Sequence, residues 1–228
     1  METGTVVSMY SEEGVKELKL IHNRIEPEIA KRLREFAQIG MNGTDRQLFT
    51  ELAFCLLTPQ SKAIYCWKAV ECLLDTDLLI SGKDYEIARD IKGKTRFHNQ
   101  KGKNVVVARE LFTDPNSGKL EIRKQIGTLD SVFNLREWLV GNVRGLGYKE
   151  ASHFLRNIGK GKTLAILDRH ILTKLTDLQV IAEVPASLPP KLYDQIEVEM
   201  QMFCRQIGMR MDHLDMVLWY MQTGDVFK

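Results

Sequence analysis

The sequence predicts an all-α protein built from many short helices packed at varied angles. Three observations lead there. Apolar residues recur at helical spacing through nearly the whole chain. Glycine and asparagine punctuate it at Asn42-Gly43, Ser117-Gly118, Gly127 and Gly159-Lys160-Gly161. Convincing alternating strands are missing, with Val180-Ile181 as one weak candidate. Apolar residues make up 44% and charged residues 27% of the 228 residues, the composition of a folded globular chain rather than a disordered one. That length suffices for one large domain or two small ones sharing a cleft.

The elements follow in order. Val15, Leu18, Ile21 and Ile25 form one helical face. Pro27 is suited to begin a second helix carrying Ile29, Leu33 and Phe36. Thr44 and Gln47 have the spacing of a capping box, and the helix they open shows Leu48, Phe49, Leu52 and Leu56. Pro59 disfavours helical geometry at Thr58, so that helix is expected to finish near Leu57. Another begins near Ser61 and is expected to bury Ile64, Trp67 and Leu74. Further helices are predicted near 84–91, 98–111, 131–140, 148–158, 168–178, 190–207 and 212–221, with Asp130-Ser131 as a start signal for the third of these.

Several classes are disfavoured at once. No apolar run approaches the roughly eighteen residues of a membrane helix. The first fourteen residues lack the basic start and apolar centre of a secretory signal. Cys55, Cys66 and Cys72 lie among apolar residues and read as buried thiols; with Cys204 they form no closely spaced pair, so no metal site is expected. Reduced thiols without a leader point to the cytoplasm or nucleus, and the cytoplasm is the expected location. The net charge of +2 is uninformative, but its distribution is not: residues 89–124 carry ten Lys/Arg against four Asp/Glu, residues 141–175 seven against two, and residues 176–228 four against eight. Two basic blocks could present a face to a polyanion, or could simply be solvated helical surfaces.

The chemistry concentrates between Leu139 and Asn157. One helix ends near Gly141, a tight turn Gly145-Leu146-Gly147 follows, and a second helix starts at once: a helix–hairpin–helix pattern. The two glycines free the hairpin amides from side-chain obstruction, and with the following helix N-terminus those amides can bind a phosphate oxygen. Leu146 at the tip would anchor the turn. Lys149 falls in the first turn of the second helix, where the macrodipole disfavours a cation and so favours the neutral, nucleophilic amine; a plain phosphate contact is the alternative. Nineteen residues on, Asp168 follows the apolar run Leu164–Leu167 and precedes a helix, as an N-cap would. A carboxylate held in that way could also stabilise positive charge on a sugar.

Together, Gly145, Gly147, Lys149 and Asp168 resemble the helix–hairpin–helix DNA glycosylase superfamily, the relatives of endonuclease III, over roughly residues 44–228. The stretches Gly147–Asn157, Leu57–Lys62 and Arg96–Asn99 resemble the archaeal-type 8-oxoguanine DNA glycosylase/lyases within it. Endonuclease III itself usually carries an iron–sulfur cluster on four closely spaced C-terminal cysteines; this chain has Cys204 alone there, so no cluster is expected.

The resemblance implies a bifunctional glycosylase/AP lyase acting on double-stranded DNA that contains an oxidised purine. Lys149 is the nucleophile and Asp168 the stabilising carboxylate. Two helical subdomains would flank an active-site cleft, one from 41–164 and one from 1–40 plus 165–228. No cofactor is implied beyond a monovalent cation at the hairpin carbonyls. Gln60 matches the position that enters the duplex, where a flipped base leaves a gap. Arg96, His98, Asn99, Lys101 and Lys103 form a polar block that reads as a DNA contact surface. Trp219 and, less directly, Phe97 are stacking candidates for the extruded base. The chain given ends Asp225-Val226-Phe227-Lys228, and the expectation is that this tail folds into the pocket and offers a carboxylate to the N7 hydrogen that 8-oxoguanine has and guanine lacks. A monomer is the expected working state. The competing readings are a glycosylase for another damaged base, a non-catalytic helix–hairpin–helix module in which Lys149 binds phosphate and Asp168 only caps, and a helical protein–protein scaffold with no nucleic-acid role.

Overall fold

The computed structural model describes residues 10–228; residues 1–9, with most of the stretch read for a secretory signal, lie outside the described residues. Among the described residues there are twelve helices and no strand: α1 (Glu12–Asn42), α2 (Asp45–Leu57), α3 (Ala63–Asp75), α4 (Leu78–Ser81), α5 (Asp84–Asp90), α6 (His98–Leu111), α7 (Ile122–Ile126), α8 (Val132–Asn142), α9 (Tyr148–Asn157), α10 (Arg169–Asp177), α11 (Pro190–Ile207) and α12 (Met211–Thr223). Val180 and Ile181 follow α10 unpaired in any sheet; both are buried, so their apolar character serves packing. The all-α class stands.

Four local expectations need correction or refinement. Pro27 does not start a helix but sits within α1. It gives up one backbone hydrogen bond there, while buried Ile25 and Ile29 on either side keep one apolar line through it. Thr44 and Gln47 do form the reciprocal capping box, and α2 ends at Leu57. Thr58 nevertheless keeps helical angles, its N–H and hydroxyl both donating to Cys55 O. In α3 the buried face is Cys66, Ala69, Val70 and Leu73, whereas Ile64 is exposed and Trp67 and Leu74 are half-buried. The short helices α4 and α7 are too brief to show a helical period in the sequence. Cys55, Cys66 and Cys204 are buried and Cys72 is half-buried; all four are free thiols.

The described residues divide into two compact units, residues 10–32 with 162–227, and residues 33–161 with Lys228. These limits fall elsewhere than the expected 40/41 and 164/165: α1 runs unbroken past residue 40, and Lys228 joins the unit that contains α2. In the first unit, Tyr10 meets Phe203 edge-on at 4.8 Å, and α12 packs on both α10 and α11. The extended run Leu164–Leu167 is tied to α11: the Tyr193 hydroxyl donates to Ala165 O (2.7 Å) and accepts from Leu167 N (3.2 Å), and Ala165 N donates to Glu197 Oε1 (2.6 Å). In the second unit α2 is the axis. It is buried without interruption from Leu48 to Leu57, Thr50 and Glu51 included, and it packs on α3, α6, α7 and α9.

Candidate active site

The hairpin joins α8 to α9. Ser131 caps α8, its hydroxyl accepting from Phe133 N. At the other end Val143 leaves the helix in an extended conformation. Gly145 then takes φ +85°, and a Cβ there would overlap the Asn104 side chain of α6, so both backbone angle and space require glycine. Leu146 is buried and anchors the turn as expected. Gly147 adopts an extended conformation (φ −91°, ψ −178°) and occupies the N-cap position of α9, so its value lies in lacking a side chain rather than in an unusual angle. As glycine, the N-cap residue of α9 supplies no side-chain cap bond. The leading amides of a helix have no acceptor within it, and uncapped they can take a phosphate oxygen. Arg136 of α8, buried, lies over the Tyr148 ring at 5.2 Å and donates to Ser152 Oγ (3.3 Å), fixing how α9 begins.

Lys149 is the second residue of α9. Its side chain is 22% exposed, with Glu150 Oε1 at 3.9 Å. One turn on, His153 is buried against Phe54, its ring edge-on at 5.4 Å. Burial, then the charges of Arg156 and Lys149, push the His153 pKa well below the ordinary histidine value; the main chain of Lys228 acts the other way. Burial likewise raises the Cys66 thiol to about 11 against the opposing pull of Lys101 and Lys149. Lys149 thus borders a wall of buried groups on α2, α3 and α9.

Lys228 lies in that wall. Its ammonium pairs with Glu51 and stands 3.7 Å from the centre of the Trp67 ring, at cation–π distance. Glu51 is almost wholly buried and also accepts from Asn157 Nδ2 (3.0 Å). Sequence reasoning assigned roles to neither Glu51 nor Asn157 and took Trp67 for core. One signal was available: Glu51 is a lone carboxylate in the otherwise apolar face of α2, and a buried charge needs a partner.

The polar block before and within α6 is split by the structure. Arg96, Asn99 and Lys103 are exposed and His98 is half-buried, so they remain available for DNA. Lys101 is not: it is buried, and its ammonium donates to Leu57 O (2.7 Å), Pro59 O (2.8 Å) and Ser61 Oγ (2.9 Å). Burial lowers its pKa, opposed by Cys66 and Glu150. Gln60 is exposed at φ +54°, and Phe97, 60% exposed, has φ +55°. Phe97 therefore stands out toward solvent rather than lining an enclosed pocket.

Asp168 belongs to the first unit, where it is the N-cap of α10; its Oδ1 accepts from Ile171 N at 2.8 Å. Trp219, in the same unit, is half-buried, and its indole N–H has no hydrogen-bond partner among the described residues.

Comparison with known proteins fits this geometry. The family model described as 8-oxoguanine DNA glycosylase matches residues 29–209. The chain belongs to this family. An 8-oxoguanine DNA glycosylase/AP lyase of Fusobacterium nucleatum is 42% identical over 220 residues, covering 96% of this chain and all of the relative. That of Korarchaeum cryptofilum is 37% identical, over 92% of this chain and 95% of its own. Among solved structures, the 8-oxoguanine DNA glycosylase of Thermotoga maritima superposes with a TM-score of 0.84 at 32% identity, covering 95% of this chain and 99% of its own. The Methanocaldococcus jannaschii 8-oxoguanine glycosylase/lyase, solved with a 15-mer DNA containing 8-oxoguanine, gives 0.84 at 30% identity, covering 94% of this chain and 99% of its own. Among the described residues no helix is long and apolar enough to cross a membrane.

Proposed function

We propose that this member of the family excises 8-oxoguanine from double-stranded DNA and then cuts the strand as an AP lyase. The observation that carries the reading is Lys149 itself: a mostly buried amine at the second position of an uncapped helix, directly after a hairpin whose amides can hold the DNA backbone. The Lys149 amine attacks C1′ of the damaged nucleotide, and the base leaves with the electron pair of the glycosidic bond. The Asp168 carboxylate stabilises the positive charge that develops on the sugar. Opening of the sugar ring gives a Schiff base between Lys149 and C1′. Loss of a C2′ proton then expels the 3′ phosphate, and hydrolysis returns the free lysine.

The scheme uses no metal or organic cofactor; a monovalent cation at the hairpin carbonyls would serve only to bind the backbone. Gly145 and Gly147 present the amides, Arg96 and Asn99 contact the duplex, and Gln60 fills the gap left by the extruded base. Lys228 and Trp219 serve base recognition, and the exposure of Phe97 fits a contact with the duplex. The enzyme works as a monomer in the cytoplasm.

Borohydride trapping tests this reading on duplexes bearing 8-oxoguanine, thymine glycol or no lesion, with the native chain and Lys149→Gln. A covalent adduct on the 8-oxoguanine duplex alone, lost in Lys149→Gln, is expected. An adduct on thymine glycol instead would keep the lysine chemistry and change the substrate. Tight DNA binding with no adduct on any duplex would overturn the nucleophile and leave a binding module.

A further inference from the structure

Lys101 uses all three of its ammonium donors within one corner of the second unit. An ammonium has three N–H groups and no acceptor. Here they go to Leu57 O, Pro59 O and Ser61 Oγ, at 2.7, 2.8 and 2.9 Å. Two of these acceptors are backbone oxygens on either side of the α2 terminus, where carbonyls lack helical partners and carry partial negative charge. The same Ser61 Oγ accepts from Arg96 N at 2.9 Å, so one hydroxyl links the 58–61 corner to the loop that enters α6. Each of these loops carries a non-glycine residue in the left-handed region: Gln60 at φ +54° and Phe97 at φ +55°. Such conformations are unfavourable for L-residues and persist where surrounding contacts over-determine them. Both residues are also exposed. Solvation alone would leave a lysine on the surface of α6, as with Lys103, and would not bury it 40 residues away in sequence from its acceptor Ser61.

We infer that Lys101, with Ser61, is a positioning residue that sets the Pro59–Gln60–Ser61 corner so that Gln60 enters the duplex when the damaged base leaves it. The inference rests on the reading of Gln60 given above. Lys101 touches no substrate. It acts by holding Pro59 O and Ser61 Oγ on either side of Gln60 together with Leu57 O at the end of α2, and through Ser61 it couples that corner to the Arg96–Phe97 loop. Correct placement within about 1 Å can be worth a hundredfold in rate.

The test is a double-mutant cycle on single-turnover excision from an 8-oxoguanine duplex, using the full chain, Lys101→Met, Gln60→Ala and the pair together. Each single variant is expected to slow excision by about tenfold to a hundredfold. The pair is expected to be no more than about twofold slower than Gln60→Ala, because residues acting through one another are non-additive. Cleavage of a pre-formed abasic site in a single-stranded oligonucleotide, where no gap needs filling, should stay within about threefold in Lys101→Met. Additive losses in the pair, or a parallel loss of single-strand cleavage, would overturn the inference. If Lys101→Met does not fold, Ser61→Ala replaces it in the same cycle and must show the same non-additivity. A second readout needs no catalysis: fluorescence of 2-aminopurine beside a tetrahydrofuran abasic analogue reports unstacking. Native chain should raise it and Lys101→Met should not, with Lys101→Arg restoring part. Were the native chain inactive on 8-oxoguanine, the proposed function would fail, yet loss or persistence of this signal would still uphold or overturn the role of Lys101.

Discussion

Two helices that carry the proposed chemistry begin in opposite ways. The first turn of α10 is closed by its own side chain: Asp168 accepts from Ile171 N, and the run before it is tied to Tyr193 and Glu197. The first turn of α9 is left open: Gly147 offers no side chain, and Lys149 places an amine where the macrodipole disfavours a cation. Capping spends the helix N-terminus on fixing a carboxylate. Leaving it uncapped keeps the amides for an external anion and tolerates a less favourable residue beside them. The same local element thus yields either a rigid charged group or a binding surface, according to the residue at one position.

The largest expected effect breaks the closed start. Asp168→Asn keeps a good cap, so thermal denaturation should show a loss under about 1 kcal/mol. Single-turnover excision should nevertheless fall about a hundred- to a thousandfold if the charge serves the sugar. Equal activity in the two proteins would reduce Asp168 to a cap. Next come the hairpin glycines, for which the expected signs differ. Gly145→Ala meets both a left-handed φ and the Asn104 side chain, and should cost about 1–3 kcal/mol in denaturant unfolding as well as DNA affinity. Gly147→Ser has an ordinary φ and adds a cap. It should gain about a few tenths of a kcal/mol of stability while weakening DNA binding in a titration, because the new hydroxyl competes for the amides. Weaker DNA binding without a stability gain would mean that α9 was not short of a cap.

The smallest effect lies one turn after Lys149. His153 has a folded-state pKa well below its unfolded value near 6.5. Below pH 6.5 the unfolded chain binds the extra proton, so stability is fully present above that pH and falls as pH drops toward the folded value. The slope from this one group is at most about 1.4 kcal/mol per pH unit. His153→Gln should remove that share of the acid-side slope in pH-dependent melts; an unchanged slope would show that His153 is not held neutral.

Much was legible because it is local. The capping box at Thr44, the limits of α6 at His98 and Leu111, the hairpin turn and the Asp168 cap each depend on residues within a few positions of one another. Failures arose where packing overrides propensity. Pro27 predicts a helix start, yet buried neighbours carry α1 through it. The face of α3 was misjudged because Ile64 and Cys66 differ in burial through what lies opposite them, which no period reports.

The sequence by itself determined the helical class, the hairpin, and Lys149 and Asp168 as the residues to question, since glycine geometry, capping and helix position follow from short-range rules. Only the tertiary structure decided that Lys228 pairs with Glu51 over Trp67, across 177 positions of chain, and that Lys101 leaves the solvated block to hold the Gln60 corner. A buried charge takes whichever partner the fold brings within reach, and sequence distance carries no record of that choice.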